Sequence, residues 1–565
     1  MDKELNMEKI KKSNILILCL FLFTGGLISS FLQFDVVWDF MNYHYYNAWA
    51  FLNGRVGKDI AVAGINAFFN PLPDLPLYFL IKYFNNYPDI IYFIQGLWFG
   101  ALWFVFYKVA SMFLETETFG GKVKMAICLI VAITGNALFS QIGASSNEVM
   151  IAFFVMLSLY FLLNEIFEKK SGGRFPFVLS GVLLGISMGL KLTAFIYCIA
   201  AGFCIIIFYK QLKLPFRSIL LFTIAGFIGF LIVNGFWMIK MWNLFENPLF
   251  PFANAIFKSE WLSADNFTDS NYVPKNFFEF ITWPLILSFS LHRAEGYGMF
   301  VSDMRPLIVY LIFVWWGIKV IYYSFRQKKI EFNAKWGFLA TFFFTSYLLW
   351  TIVFSISRYY VVIEMLSAIF IVKALFSFKP KSMLSEGLYY SFALITFFIL
   401  ICTAYFSENW GQRYDNWKEL GLSHDGYFVV EKVNIPNNIL ILTYNYPTAA
   451  FLAYWGQNVS FKAINAMQYA FVAEMEGKGK IDYFNYHWKW AQAKNEIVKN
   501  YDGPVFVLIS RGVKKNNEGF DLSEDKLIKD MYCKKLANNH LPFVELCVPK
   551  GLEKIVFEKL NKTIE

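Results

Sequence analysis

The fold is decided by residues 14–49, which read NILILCLFLFTGGLISSFLQFDVVWDFMNYHYYNAW. The first part of this stretch, 14–33, is almost wholly apolar, and a helix of that length crosses about 30 Å of hydrocarbon. Lysines precede it, and no small-residue cleavage pattern follows it. We therefore interpret 14–33 as an uncleaved first membrane span. Two aspartates and a histidine then stand among aromatic residues at its end.

The rest of the chain repeats this apolar pattern. Of the 565 residues, 57% are hydrophobic and only 16% are charged, whereas a soluble protein carries about a quarter charged residues. The apolar residues fall in blocks of roughly twenty, which predicts a polytopic α-helical membrane protein with about eleven transmembrane helices. The candidate spans are roughly 14–33, 89–114, 123–142, 148–165, 175–190, 192–209, 217–237, 306–325, 336–355, 359–378 and 388–406.

The basic residues give the topology. Lysines and arginines cluster in alternate connections between the apolar blocks and are nearly absent from the others. By the positive-inside rule, the N-terminus is cytoplasmic and, with an odd number of spans, the C-terminal tail is extracytoplasmic. We expect a multi-pass protein of the cytoplasmic (inner) membrane with external loops at 34–88 and 238–305. The net charge of +9 is explained by this topology, so we expect no nucleic-acid partner.

The tail differs in composition from the membrane part. Residues 1–406 form the predicted transmembrane domain, and 407–565 form a small extracytoplasmic α/β domain, because apolar runs such as ILILTY (439–444) and VFVLIS (505–510) alternate with helix-like stretches. Two cysteines can form a disulfide if the tail lies outside the cytoplasm; they are Cys533 and Cys547. Several aromatic residues could stack on sugars or pack against the membrane domain: Tyr444, Tyr446, Trp455, Trp488 and Trp490.

The acidic residues after the first span are the first candidates for chemistry. Asp39 stands at the start of a helix predicted to lie in the membrane interface, where it is either a helix cap or a functional acid. Asp35 lies in the apolar context FLQFDVVW, and ionisable residues at membrane depth are functional candidates. His44 could assist or hold Asp39, or be a hydrogen-bonded interfacial residue.

Here the sequence resembles a known family. An aspartate at the end of the first span, followed by NYHYYNAWAFLNGR, Asp59 and NPLPDLP, resembles the first external loop of bacterial membrane glycosyltransferases of the GT-C superfold. Protein O-mannosyltransferases and the aminoarabinose transferases of lipid A belong to that superfold. The resemblance implies a polyprenyl-phosphate sugar as donor and a glycan, lipid or protein as acceptor. Membrane lipids surround the protein as further partners.

The resemblance also suggests site residues. The acid of that loop acts in the family as a catalytic base or a metal ligand, and it corresponds here to Asp39 first and Asp35 second. Many relatives carry two adjacent acids, whereas these two are four residues apart. A divalent cation, Mg²⁺ or Mn²⁺, is a further expectation, with Asp39 and Glu148 as candidate ligands. Glu148 also fits the start of a helix, where an acid favours the dipole.

Three cations near outward boundaries are candidates for binding the donor phosphate: Arg358, Lys191 and Arg293. Fixed cations stabilise the charge that gathers on a leaving phosphate. For each of them the alternative is a side chain that snorkels to the interface. Weaker candidates in the second external loop are His292, Glu295 and Asp303.

Two classes of function compete. The sequence favours a glycosyltransferase on the outer face of the membrane, and it contains no phosphate-binding loop for nucleotides. The alternative is a transporter or flippase of lipid-linked oligosaccharide, which predicts internal repeats and charges in the middle of helices. The sequence shows neither feature.

Overall fold

A computed structural model shows how the chain is arranged. It describes residues 2–32, 38–169, 175–210, 216–262, 272–294, 303–326, 333–377, 391, 394–398, 400, 426–444, 447–465, 488–510, 526–538 and 544–557. These residues belong to two compact units. Unit 1 is formed by Met1–Gln33, Tyr92–Asn234 and Thr268–Arg413, and unit 2 by Phe34–Ile91, Gly235–Phe267 and Tyr414–Glu565.

The apolar blocks form helices, as predicted. In the described part of the chain, six helices are long and apolar enough to cross a membrane: Ser13–Leu32, Pro88–Ala110, Glu148–Glu168, Phe216–Phe245, Arg305–Phe325 and Ala334–Val353. Shorter apolar helices span Phe175–Leu190, Leu192–Phe208 and Phe277–Phe289. The last of these falls inside the predicted loop 238–305.

The expected number of eleven spans is therefore not confirmed. The predicted span 123–142 is broken at Thr134 and Gly135, and the predicted span 359–378 yields a helix of 15 residues. Most of the predicted span 388–406 lies outside the described residues. Breaks of this kind escape a hydropathy count because the count averages one or two residues at the break with the apolar residues on both sides.

The helices carry the following names and bounds: α1 (Asp2–Leu32), α2 (Tyr45–Leu52), α3 (Leu75–Phe84), α4 (Pro88–Ala110), α5 (Phe119–Ile133), α6 (Asn136–Phe139), α7 (Glu148–Leu163), α8 (Phe175–Leu190), α9 (Phe195–Phe208), α10 (Phe216–Phe245), α11 (Asn254–Phe257), α12 (Phe277–Phe289), α13 (Arg305–Phe325), α14 (Ala334–Val353), α15 (Val361–Leu375), α16 (Ala449–Trp455), α17 (Trp488–Lys499), α18 (Lys526–Lys529) and α19 (Glu553–Phe557).

Small residues bring the helices of unit 1 close together. A Cβ atom added at Gly100 of α4 would stand 2.5 Å from the backbone oxygen of Phe21 in α1. One added at Gly185 of α8 would stand 1.9 Å from the backbone oxygen of Gly226 in α10. Only glycine permits such an approach between backbones, and small residues are typical of helix contacts in membranes.

Unit 2 is built around a five-stranded sheet with the strand order β3-β2-β4-β6-β5. The strands are β2 (Ile439–Tyr444), β3 (Phe461–Asn465), β4 (Val505–Ser510), β5 (Met531–Lys535) and β6 (Val544–Pro549), and β1 (Val62–Ile65) precedes them within the predicted loop 34–88. β2 pairs in parallel with both β3 and β4, and β6 pairs antiparallel with both β4 and β5. The predicted α/β tail is confirmed.

A disulfide joins the two antiparallel strands at one side of this sheet. Cys533 of β5 and Cys547 of β6 are direct cross-strand partners and form a disulfide bond. This pairing is the one that the sequence predicted for an extracytoplasmic tail.

The segment after the first helix, which includes β1, packs with the tail. The backbone amide of Ile60 donates to Ala463 at 3.0 Å, and the amide of Asn465 donates back to Ile60 at 2.9 Å, so that the loop pairs with the edge of β3. The compact units therefore do not follow the sequence-based division at 406 and 407, which stays a prediction about where the membrane part ends. Sequence spacing gives no sign of a pairing over 400 residues.

Candidate active site

Asp39 opens a π-helical turn, Phe40–His44, that continues into α2. Its side chain is buried, and it makes no capping hydrogen bond to the amides of that turn. The hydroxyl of Tyr43 instead donates to Asp39 Oδ2 at 3.1 Å. The alternative that Asp39 is only a helix cap is therefore not supported. Single π-helical turns inside helices are often found at functional sites.

The helix after Asp39 is present, but its aromatic residues are buried rather than exposed at an interface. Trp49 is 2% exposed and stacks on Phe461, with ring centroids 6.0 Å apart. Tyr45 accepts a hydrogen bond from Gln457 Nε2 at 2.9 Å. The tail of unit 2 covers this helix, which a local pattern of tyrosine and tryptophan cannot reveal.

His44 is paired with an acid that is not among the predicted site residues. His44 Nδ1 lies 2.6 Å from Asp74 Oδ1, and both side chains are buried. Tyr43 links this pair to Asp39, because its ring lies 4.2 Å from the imidazole while its hydroxyl reaches the carboxylate. A hydrogen bond at Nδ1 fixes which imidazole nitrogen carries the proton. The sequence signal was present in NPLPDLP, but the pairing is visible only in three dimensions.

Asp59 ties this segment to the tail. Arg55 donates to it twice, from Nη2 to Oδ1 at 2.6 Å and from Nε to Oδ2 at 2.9 Å. The amide of Ala463 also donates to Oδ1, and the hydroxyl of Tyr46 donates to Oδ2, each at 2.9 Å. Burial, followed by the charge of Asp59, raises the pKa of Tyr46 well above its usual value, so this phenol stays protonated. Asp59 therefore holds structure and does not offer a free carboxylate.

Two of the three predicted phosphate ligands meet in unit 1. Lys191 stands in extended backbone between α8 and α9, and Arg358 stands in the 3-10 turn Ser357–Tyr360 that precedes α15. Irregular backbone at membrane depth occurs where it lines a cavity. Both cations line one pocket, together with Glu148.

The pocket arranges its charges around Glu148. The Lys191 ammonium is ion-paired with Glu148 Oε1, and Arg358 Nε lies 3.8 Å from the same oxygen. Tyr359 packs against both cations, at 5.2 Å from Lys191 Nζ and 5.3 Å from Arg358 Cζ to its ring centroid. Glu148 is the first residue of α7, as the sequence predicted. Two positive charges and one negative charge leave the described lining with a formal charge of +1.

The third predicted phosphate ligand is elsewhere in unit 1. Arg293 pairs with Glu279 at 3.2 Å and lies over the ring of Trp283 at 5.5 Å. It is not among the described residues that line the pocket. Arg293 lies in the short turn Leu291–Ala294 that follows α12. Its sequence context, FSLHRAEG, gives no sign that its partner is Glu279, near the start of α12.

The weaker candidates of the second loop are structural or outside the described residues. Asp303 accepts a hydrogen bond from Arg305 Nη1 at 2.9 Å, and Arg305 is fully buried. Arg305 also donates from Nη2 to the carbonyl oxygen of Val131 at 2.8 Å. This pair holds α13 to α5. Asp35, Glu295 and Tyr446 lie outside the described residues, as do the side chains of His292 and Trp488.

The surroundings of Glu148 do not fit a divalent cation. A carboxylate that already pairs with an ammonium and faces a guanidinium would place a metal ion beside two positive charges. The same arrangement suits an anion, because the cations outnumber the acid. The expectation of Mg²⁺ or Mn²⁺ at Asp39 and Glu148 stays a prediction, and no step below depends on it.

Comparison with known proteins gives a fold but no family. No family model matches this sequence, and no curated protein matches it. Solved structures do match, and the architecture is GT-C-like, as the sequence resemblance implied. One of them is ArnT from Cupriavidus metallidurans bound to undecaprenyl phosphate, with a TM-score of 0.51 and 12% identity over 96% of this chain and 98% of that chain. The apo state of ArnT gives the same values. At this identity the likeness establishes the fold alone.

Proposed function

We propose that this chain is an integral-membrane glycosyltransferase that moves a sugar from a polyprenyl-phosphate donor to an acceptor glycan, lipid or protein. The observation that carries the proposal is the pocket in which Lys191 and Arg358 are gathered around Glu148. The fold supports it, because ArnT, which has the same architecture, has been crystallised with undecaprenyl phosphate. The fold similarity gives the transporter alternative no support, and we do not propose it.

Lys191 and Arg358 are assigned to the donor phosphate. Transfer breaks the bond between the anomeric carbon and the phosphate oxygen, and that oxygen keeps the electron pair. The negative charge on the phosphate therefore grows during the reaction, and cations fixed in a protected pocket lower the barrier. The pocket is lined largely by apolar side chains such as Ile151, Val361 and Val362, which strengthens this interaction.

Asp39 is assigned to the acceptor. The acceptor hydroxyl attacks the anomeric carbon and transfers its proton to the Asp39 carboxylate as the new bond forms. The hydroxyl of Tyr43 orients this carboxylate by a hydrogen bond. A single displacement of this kind inverts the anomeric configuration. His44, held by Asp74, is a second group for moving the proton away.

We also propose that the reaction takes place on the outer face of the cytoplasmic membrane. The disulfide between Cys533 and Cys547 supports an extracytoplasmic tail, because disulfides persist outside the reducing cytoplasm. The distribution of basic residues supports the same orientation.

The test is a transfer assay with purified protein in lipid nanodiscs and a panel of polyprenyl-phosphate sugars and acceptors. Asp39→Asn is expected to lower transfer by about 10²–10⁴-fold, because the amide cannot accept the proton. Asp89→Asn is the matched control, since Asp89 is an exposed aspartate of the same unit. Asp35→Asn tests the second acid. Normal transfer by a folded Asp39→Asn protein would refute the assignment of the base.

A further inference from the structure

The pocket of unit 1 contains an acid that the transfer reaction does not require. Glu148 is buried with 5% of its surface exposed, and it directly contacts the group assigned to the phosphate, Lys191. A carboxylate beside an anion-binding site weakens the binding of every anion there. Its presence therefore calls for an explanation that goes beyond phosphate binding.

The chemistry of the proposed reaction suggests one. The donor is a phosphodiester with a single negative charge, whereas the product is a phosphomonoester that carries close to two negative charges at pH 8, since its second pKa is about 6. The described lining has one positive charge in excess, from Lys191 and Arg358 against Glu148. This charge of +1 balances the single negative charge of the donor, but it is smaller in magnitude than the charge of about −2 on the product.

We propose that Glu148 is a positioning residue that sets the charge of the pocket, so that it accepts the singly charged donor and releases the doubly charged lipid phosphate. This inference rests on the proposed function. Glu148 forms an ion pair with the Lys191 ammonium. As the glycosidic bond breaks, the ammonium is shared between Glu148 and the phosphate, and repulsion from Glu148 limits how tightly the product stays bound.

Removing the negative charge of Glu148 should affect the binding of a dianion more than the binding of a monoanion. Changing Glu148 to glutamine removes one negative charge and keeps the shape of the side chain. Because the Coulomb energy is proportional to the charge of the ligand, the gain in binding free energy for a dianion is twice that for a monoanion. If the affinity for a monoanion rises by a factor of about 3–10, the affinity for a dianion rises by the square of that factor, about 10–100.

The experiment measures binding to purified full-length protein in nanodiscs at pH 8. The probes are undecaprenyl phosphate, a dianion, and its methyl ester, a monoanion with the same lipid, so that the identity of the sugar is not needed. In Glu148→Gln we expect the dissociation constant of the dianion to fall by the square of the factor seen for the ester. Glu148→Asp keeps the charge and should resemble the wild type.

A matched control is Glu168→Gln. Glu168 follows α7 along the chain and pairs with Lys335, but its side chain is partly exposed and it does not line the pocket among the described residues. This variant should change neither dissociation constant by more than about twofold, because water screens such a charge.

Two failures can be told apart. If Lys191→Met and Arg358→Met leave the binding of both probes unchanged, the phosphate is not bound in this pocket and the proposed function of these residues fails. If those variants weaken binding, but Glu148→Gln changes both probes by the same factor or weakens the dianion, the inference about Glu148 is wrong. Lowering the pH to 5 protonates the phosphomonoester and should abolish the excess gain in Glu148→Gln, which shows that the gain comes from charge.

Discussion

Asp59 gives the most quantitative test of how unit 2 is held together. Its carboxylate accepts four hydrogen bonds, two from Arg55, one from Tyr46 and one from the amide of Ala463 in β3. The Asp59 side chain is 1% exposed and that of Arg55 is 17% exposed. In Asp59→Asn, the partly buried guanidinium of Arg55 loses its counter-charge. The NH₂ group of the asparagine side chain is itself a hydrogen-bond donor, and it would face groups that also donate.

The expected loss follows from burial. Removing one partner of a buried ion pair costs about 3–5 kcal/mol, and the partial exposure of Arg55 places the effect near the lower end, at about 3 kcal/mol. For a domain of about 150–250 residues, each kcal/mol lowers Tm by about 2–4 °C. Asp59→Asn should therefore lower the Tm of unit 2 by about 6–12 °C. Thermal unfolding of the purified protein, followed by tryptophan fluorescence, measures this shift.

An exposed aspartate of the same unit provides a control for Asp59→Asn. Asp502→Asn changes an exposed aspartate of the tail and should cost less than about 0.5 kcal/mol. The double variant Arg55→Gln/Asp59→Asn should cost less than the sum of the two single variants, because the second change removes the charge left unpaired by the first. An Asp59→Asn protein as stable as Asp502→Asn would show that the network does not hold the loop to the sheet.

Two further predictions concern the His44 pair and the packing of α1 on α4. Asp74→Asn is expected to lower kcat by about tenfold at unchanged KM for the donor, because the His44 imidazole loses the carboxylate that orients it; additive effects of Asp74→Asn and His44→Gln in a double-variant cycle would contradict this. Gly100→Ala should destabilise the protein by about 1–3 kcal/mol in thermal unfolding, because its Cβ would meet the backbone of Phe21 at 2.5 Å. Gly317→Ala, where the Cβ meets nothing within 4 Å, should be neutral or stabilising by up to about 1 kcal/mol.

Much of the local structure could be predicted from the sequence. The runs ILILTY and VFVLIS coincide with β2 and β4, because short apolar runs bounded by polar residues are typical of buried strands. WKWAQAKNEIVKNY (488–501), one of the helix-like stretches that alternate with these runs, contains α17. The disulfide could be anticipated because the tail has two cysteines and a predicted location outside the cytoplasm.

The grouping of the site could not be predicted, and the predicted number of spans is not confirmed. Lys191 and Arg358 stand where the helical backbone is interrupted, and a hydropathy window averages over such interruptions. Their positive charge near a predicted outward end of a span was enough to predict both as phosphate ligands. Nothing in the sequence indicated that Glu148 pairs with both of them. The partner of His44, Asp74, was likewise hidden, since it lies 30 residues further along the chain and spacing does not report contacts made by folding.

The pairing of Ile60 with β3 has a consequence for how the tail is produced and handled. The sheet is completed at the edge of β3 by a segment that is synthesised about four hundred residues earlier, so this edge is paired only once β3 has also been synthesised. A fragment that starts after the membrane part would present the bare backbone of β3 to other molecules, which favours self-association. Fusing residues 55–65 to such a fragment would restore the missing neighbour and should yield a monodisperse domain.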